Sequence, residues 1–328
     1  LNDVDIAESN MTPLEIWCNE SQERYVLIVR KTDLKLFESI SKRENCPIYL
    51  IGQVTRKKKL IVTYNDKTPI DLPMEYLLGK PPIKPIKINA VAQIDSKKEY
   101  NYPDFSKCLD NILKLPSVSD KGFLITIGDR SVSGLVVRDQ MIGKYQVPVS
   151  DFSITKSDIN SKSGQVITLG ERPNLAIIDS EASIDISFGE IITNIASAGI
   201  ESLDKIKLSA NWMANAKNDR ELFALYKSVQ RLSSLCKKSK IVIPVGKDSL
   251  SMSTKWKNKK HYEVISPVSL VLSGFSAIKN VDMYVTPEVK NDSELFLVDI
   301  GMGLCRMGGS ALHQILNLQG GDAPRINN

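Results

Sequence analysis

Phe188-Gly189-Glu190-Ile191-Ile192-Thr193-Asn194 reads as the middle of a helix running from Ile184 to Ser197. Ile191, Ile192 and Ile195 give that helix apolar directions to bury, while Glu190 and Asn194, four residues apart, lie one above the other on one face. Apolar runs surround it: 123–127 and 175–178 before, 241–245 and 268–272 after, all predicted strands. A second helix, 220–237, spaces Leu222, Leu225, Tyr226, Val229 and Leu232 as a core-packing stripe. Strands and helices mixed in this way predict an α+β fold.

Toward the start of the chain the elements also alternate. Tyr25 to Val29 reads as a strand, and Asp33 to Glu44 as a helix capped by Asp33 with Leu36, Phe37 and Ile40 inward. Pro47 to Val54 and Leu60 to Tyr64 read as two strands around the basic turn Arg56-Lys57-Lys58-Lys59. From 80 to 104, Pro81, Pro82, Pro85 and Pro103 among polar residues mark a connector. Leu295-Phe296-Leu297-Val298 is a predicted strand leading to a helix over Ala311 to Leu316. A strand and helix begun so near a terminus, and a first residue that is Leu1, are read as cuts in a longer chain.

The 328 residues allow two or so domains with real cores, and 42% hydrophobic with 25% charged residues is an ordinary globular balance. No apolar run approaches the roughly 18 residues of a membrane span, and no leader opens the chain, so a cytoplasmic protein without a membrane partner is expected. Cys18, Cys46, Cys108, Cys236 and Cys305 are scattered and never form C-x-x-C, so buried reduced thiols are expected rather than disulfides or zinc. His261 and His313 are too few for a histidine-rich metal site, and they lie too far from the other polar clusters to build a nucleophilic triad. The net charge of +5 comes from dispersed basic residues and suits phosphorylated small molecules; no nucleic-acid partner is expected.

Four clusters could carry chemistry. Glu190 and Asn194 offer hard oxygen ligands suited to magnesium, although a solvent-facing polar stripe is the commoner meaning of such spacing. Asp151, after Gln146-Val147-Pro148-Val149-Ser150, is a further hard ligand on an extended segment. Upstream, Gly128-Asp129-Arg130-Ser131-Val132-Ser133-Gly134, then Arg138-Asp139-Gln140 and Gly143, could cradle a phosphate or could be a plain hairpin. Asn19-Glu20-Ser21-Gln22-Glu23-Arg24 and Gly246-Lys247-Asp248-Ser249 lie at strand ends, where binding loops and ordinary turns both occur.

Taken together these strings resemble one family. Met11-Thr12-Pro13-Leu14-Glu15-Ile16-Trp17-Cys18-Asn19-Glu20-Ser21-Gln22-Glu23-Arg24-Tyr25 looks like a signature of phosphoribosylformylglycinamidine synthases in their large, single-chain form. Gly128-Asp129-Arg130, Arg138-Asp139-Gln140-Met141, Gln146-Val147-Pro148-Val149, Lys207-Leu208-Ser209-Ala210-Asn211-Trp212-Met213 and Pro244-Val245-Gly246-Lys247-Asp248-Ser249 follow in family order. The resemblance covers essentially the whole chain. It implies a ligase that converts formylglycinamide ribonucleotide, glutamine and ATP into formylglycinamidine ribonucleotide, glutamate, ADP and phosphate in purine biosynthesis. Such chemistry depends on positioning and charge neutralisation more than on a protein nucleophile. A noncatalytic nucleotide-binding or scaffolding module is the alternative.

The resemblance further implies aminoimidazole ribonucleotide synthetase-like halves: residues 1–103 as the later part of a B-type half plus connector, 104–290 as an A-type half, and 291–328 as the start of a second B-type half. It places magnesium on Asp151, Glu190 and Asn194 and an ATP or ADP contact at Ser150. The nucleotide there is implied to be an auxiliary ADP. Glu20, Ser21 and Gln22, with Lys247 and Ser249 more loosely, match positions that hold formylglycinamide ribonucleotide. The family's glycine-rich ATP loop, acid–base histidine and glutaminase domain match nothing in this chain, so they are expected in missing parts of the same protein, and the chain alone is expected to be inactive.

Overall fold

The computed structural model describes residues 1–80, 85–91, 101–128, 130–147 and 149–326, which form two compact units, 1–86 and 87–328. In the first unit, α1 (Pro13–Cys18) starts on a capping box. Thr12 Oγ1 accepts from the Glu15 amide at 3.3 Å, and Glu15 Oε2 accepts from the Thr12 amide at 2.7 Å. Next comes α2 (Leu34–Arg43), preceded by Asp33 as expected, though the Asp33 side chain makes no capping bond. The strands β1 (Lys59–Tyr64) and β2 (Lys67–Pro73) form an antiparallel hairpin, followed by α3 (Met74–Leu78).

Two expectations fail here. The hairpin turn is Asn65-Asp66, both at positive φ as a two-residue turn requires, rather than the basic run; Lys59 already belongs to β1 and reaches Asp71 at 2.9 Å. Tyr25–Val29 and Pro47–Val54 are not strands: Ile28 is 85% exposed, and among the described residues of this unit β1–β2 is the one ladder. Their β-favouring side chains have neither a neighbouring strand nor a covering layer, which is what such propensity depends on.

The second unit begins with α4 (Phe105–Leu113), capped by Asp104 on the Lys107 amide, and α5 (Gly122–Ile127). The latter falls on the predicted strand 123–127; without a ladder partner the segment closes its hydrogen bonds locally. Then come β3 (Phe152–Lys156), β4 (Gly164–Glu171), α6 (Pro173–Ala176), α7 (Ser180–Ala196), β5 (Lys207–Met213), α8 (Asp219–Ser239), β6 (Val242–Ser249), β7 (Ser253–Lys257), β8 (His261–Ile265), β9 (Ser269–Ile278) and α9 (Ala311–Ile315). Leu175–Ile178, expected as a strand, instead lies in and beyond α6, where Pro173 occupies a first-turn position and Asp179 goes on to cap α7. Leu295–Val298 is likewise not a strand, and Leu297 is 95% exposed.

One sheet, in the order β3-β4-β9-β5-β6, organises this unit; all pairs are antiparallel except β5–β6, which α8 connects. Along β4 the buried positions alternate at Gly164, Val166, Thr168 and Gly170, and that face packs on α7. Ile154, Val166, Ile184, Ile191, Ile195, Leu208, Leu270 and Leu272 make the core between them. Close approach of helix to sheet depends on two glycines. A Cβ on Gly170 would lie 2.3 Å from the Ser187 carbonyl oxygen, and one on Gly274 would lie 2.9 Å from Ile191 Cγ2. Helix α7 is also clamped to α8 by Asp185, fully buried, whose Oδ2 accepts from Arg231 Nη2 at 3.0 Å. Of the five free thiols expected to be buried, Cys108 and Cys236 are, whereas Cys18, Cys46 and Cys305 are exposed. Among the described residues no helix is long and apolar enough to cross a membrane.

Candidate functional site

The register of β4 sets its last residues against Glu190, Asn194 and the backbone of Asp151. Its ladder to β3 ends at Phe152–Thr168, while its ladder to β9 continues through Leu169, Gly170 and Glu171. The β3-side edge of β4 is therefore open over its last residues, and backbone groups there need other partners. Asn194 Nδ2 donates to the Leu169 carbonyl at 3.3 Å, and Glu190 Oε2 accepts from the Glu171 amide at 2.9 Å. Asp151 immediately precedes β3, and its carbonyl accepts from Thr168 Oγ1 at 3.0 Å. Glu190 and Asn194 thus reach the end of β4 with their side chains, from successive turns of α7, whereas Asp151 meets β4 through its backbone carbonyl.

The donor set suits a hard divalent cation. Glu190 offers a carboxylate and Asn194 an amide whose nitrogen is committed to a carbonyl, leaving the oxygen as its other end; Asp151 would add a second carboxylate. Among the described residues no three His, Cys, Asp or Glu side chains gather as a metal cage. A magnesium ion that accompanies a nucleotide does not need one, since phosphates and water supply the remaining ligands.

Next to Asp151, the Ser150 amide donates to the Gln140 carbonyl at 2.8 Å, and its hydroxyl hydrogen-bonds the Phe152 carbonyl. The side chain is engaged locally. The preceding loop is also internally tied. Arg130 pairs with Asp139 at 2.6 Å, and Ser133 and Gly143 have φ of 73° and 78°. Asp129 and Pro148 lie outside the described residues. Arg138, which the sequence places in a possible phosphate-cradling loop, has its guanidinium carbon 5.0 Å from the ring centroids of both Phe152 and Tyr284, with both terminal nitrogens buried and lacking a hydrogen-bond partner.

The predicted substrate residues fall in both units. Glu20, Ser21 and Gln22 form an exposed turn after α1, where the Ser21 amide donates to Asn19 Oδ1 at 3.0 Å. Lys247 and Ser249 lie at the end of β6, with Lys247 Nζ 2.8 Å from Ser249 Oγ.

One residue that sequence reasoning missed is Arg172. Its Nη1 is 3.1 Å from Glu190 Oε2 and its Nη2 is 3.0 Å from Oε1. The partner stands far off in sequence on another element, so no local pattern announces the pair.

Residues 120–277 match the model of the FGAR-AT PurM_N-like domain, and residues 1–65 that of the AIR synthase related protein, C-terminal domain. Among solved structures, the fold is similar to Thermotoga maritima phosphoribosylformylglycinamidine synthase II, with a TM-score of 0.59 at 18% identity, covering 88% of this chain and 43% of that one. Thermotoga maritima PurL complexed with ATP gives 0.58 at 18% identity over 87% of this chain and 42% of the other. The same protein complexed with FGAR gives 0.60 at 18% over 87% and 41%. The chain spans less than half the length of these structures. The chain thus carries a domain of the FGAR-AT PurM_N-like family over residues 120–277 and one of the AIR synthase related C-terminal family over residues 1–65, in the α+β fold of the PurL structures.

Proposed function

We propose that this chain carries a magnesium–nucleotide site of an ATP-dependent C–N ligase that converts formylglycinamide ribonucleotide, glutamine and ATP into formylglycinamidine ribonucleotide, glutamate, ADP and phosphate. The observation supporting this most directly is that the Glu190 and Asn194 side chains meet the end of β4 at residues 169–171, beside the segment that carries Asp151, whose backbone carbonyl bonds Thr168. In this reading the two carboxylates and the Asn194 oxygen hold the cation, and the Ser150 backbone lies against the nucleotide. Magnesium would supply charge neutralisation for the phosphates. Glu20, Ser21 and Gln22 in the first unit and, as a separate reading, Lys247 and Ser249 in the second are each assigned to ribonucleotide contact, the lysine as a point charge for a phosphate.

The proposed division is a B-type portion with connector over 1–103, an A-type half over 104–290 and the opening of a second B-type half over 291–328. The bound nucleotide is an auxiliary ADP, and turnover needs further domains of the full-length cytoplasmic enzyme, including its glutaminase. The chain alone therefore makes no product from FGAR, ATP and ammonia.

Calorimetry of ADP binding to the full chain, with and without Mg²⁺, tests the site. Binding that requires Mg²⁺ and weakens at least about tenfold in Asp151→Asn and Glu190→Gln is expected. Binding indifferent to Mg²⁺ and to both substitutions would overturn it.

A further inference from the structure

Glu190 is already in contact with a cation. Arg172 meets both carboxylate oxygens in a fork, Nη1 to Oε2 at 3.1 Å and Nη2 to Oε1 at 3.0 Å, and the Glu171 amide adds a bond to Oε2 at 2.9 Å. The arginine's root is fixed. Its carbonyl accepts from Ser183 Oγ at 2.6 Å and from the Leu175 amide at 3.2 Å, anchoring it to α7 and α6. Its side chain is 44% exposed, against 23% for Glu190. The guanidinium is held at its tip too, Nη1 donating to the Glu171 carbonyl at 2.7 Å, so Arg172 is a charged arm whose root is fixed and whose move off Glu190 would also release that one bond to the end of β4.

A divalent ion at Glu190 would share one carboxylate with a guanidinium, placing positive centres within a few ångströms of each other. Two changes relieve this: the arginine moves off, or negative charge arrives with the metal. A nucleoside diphosphate provides both, since its oxygens neutralise the ion and a pair of them on one phosphate offers the guanidinium a bidentate acceptor.

We propose that Arg172 is the positioning residue of this site. It neutralises Glu190 when no metal is bound, and it transfers to the nucleotide's phosphate when ion and nucleotide enter together. This rests on the reading of Glu190 as a metal ligand. Arg172 thereby opposes the ion alone, favours the nucleotide, and couples the two.

Two measurements on the full chain read the two halves of this role: Mn²⁺ binding by electron paramagnetic resonance without nucleotide, and binding of a fluorescent ADP analogue at saturating Mn²⁺. Arg172→Ala is expected to tighten Mn²⁺ binding about tenfold while weakening the ADP analogue about tenfold, opposite movements that loss of structure would not produce. Arg172→Lys, which keeps the charge, is expected to restore both in part. Arg172→Ala weakening both ligands alike, or moving neither, would overturn the proposal. Glu190→Gln separates the underlying reading. If Mn²⁺ binds wild type and is lost in Glu190→Gln, the metal site stands whatever Arg172 does. If Glu190→Gln binds Mn²⁺ as wild type does, or wild type binds none, the metal reading and the proposal on it both fall.

Discussion

Asn194 Nδ2 lies 3.3 Å from the backbone oxygen of Leu169, and this contact decides which end of the amide is available as an oxygen ligand. A carboxylate in its place would set oxygen against oxygen at that carbonyl. Asn194→Asp is therefore expected to lower Mn²⁺ affinity despite its added negative charge, by roughly tenfold. Electron paramagnetic resonance titration checks this, and tighter Mn²⁺ binding in the variant would contradict the orientation.

The Asp185–Arg231 pair joins α7 to α8 with the carboxylate fully buried, and its hydrogen bonds push the Arg231 guanidinium's pKa above the ordinary value. Asp185→Ala removes that cation's carboxylate partner and leaves it the Ile326 carbonyl at 3.4 Å and the more distant Glu181 charge. A loss of about 3 kcal/mol is expected in urea unfolding, the low end for a broken buried pair because Arg231 keeps some exposure. A loss under about 1 kcal/mol would mean that water replaces the carboxylate without cost.

Gly170→Ala places a methyl group against the Ser187 carbonyl, backbone that cannot turn aside. We expect a loss of at least about 2 kcal/mol, with Mg²⁺-dependent ADP binding weakened in parallel because α7 carries Glu190 and Asn194. Melting with and without Mg²⁺–ADP reads both effects.

Glu15 offers a pH test. Its bonds from the Thr12 amide and then the Thr12 hydroxyl hold its carboxyl below the ordinary 4.5. A carboxylate with a lowered folded pKa contributes stability that is present above the unfolded value and is lost as pH falls through the folded one. The start of α1 is therefore expected to loosen only below the ordinary Glu range. Carbon-detected NMR titration of Glu15 should show the lowered midpoint, moving upward in Thr12→Ala; an unchanged midpoint would remove the capping box as its cause.

Exposure divides the cysteines. Cys18, Cys46 and Cys305 are open to solvent, while Cys108 and Cys236 are buried and burial pushes the Cys236 thiol up. Brief treatment with iodoacetamide should label the exposed three, with the other two reacting only in denaturant. Rapid native labelling of Cys236 would show that α8 opens.

Long periodic patterns were legible in the sequence. The stripe through Leu222, Leu225 and Val229 became α8, and the run from Ile184 became α7, both starting a few residues earlier at polar caps, Asn218 and Asp179. Short apolar runs were not. Residues 123–127 and 175–178 carry a strand's composition, but at that length the choice between helix and strand is made by whichever partner is present. Strand β5 escaped notice because Lys207-Leu208-Ser209-Ala210-Asn211-Trp212-Met213 mixes small and polar residues, a composition its central place in the sheet explains only afterwards. Spacing alone put Glu190 and Asn194 on one face; that this face meets the end of β4 depends on register, and that Arg172 is waiting there depends on a contact between distant elements.

The strand order carries a consequence for biosynthesis. Strand β4, whose end organises the candidate site, pairs along its full length with β9, and α7, β5, α8 and the strands from β6 to β8 are all translated between the two. On the ribosome, β4 must therefore wait with one edge bare while most of the unit emerges, and the rung at Leu169 closes only when Ser273 arrives. A nascent chain that stalls before β9 exposes a half-built sheet, so the candidate site is among the last parts of this unit to be assembled and among the first lost to premature termination.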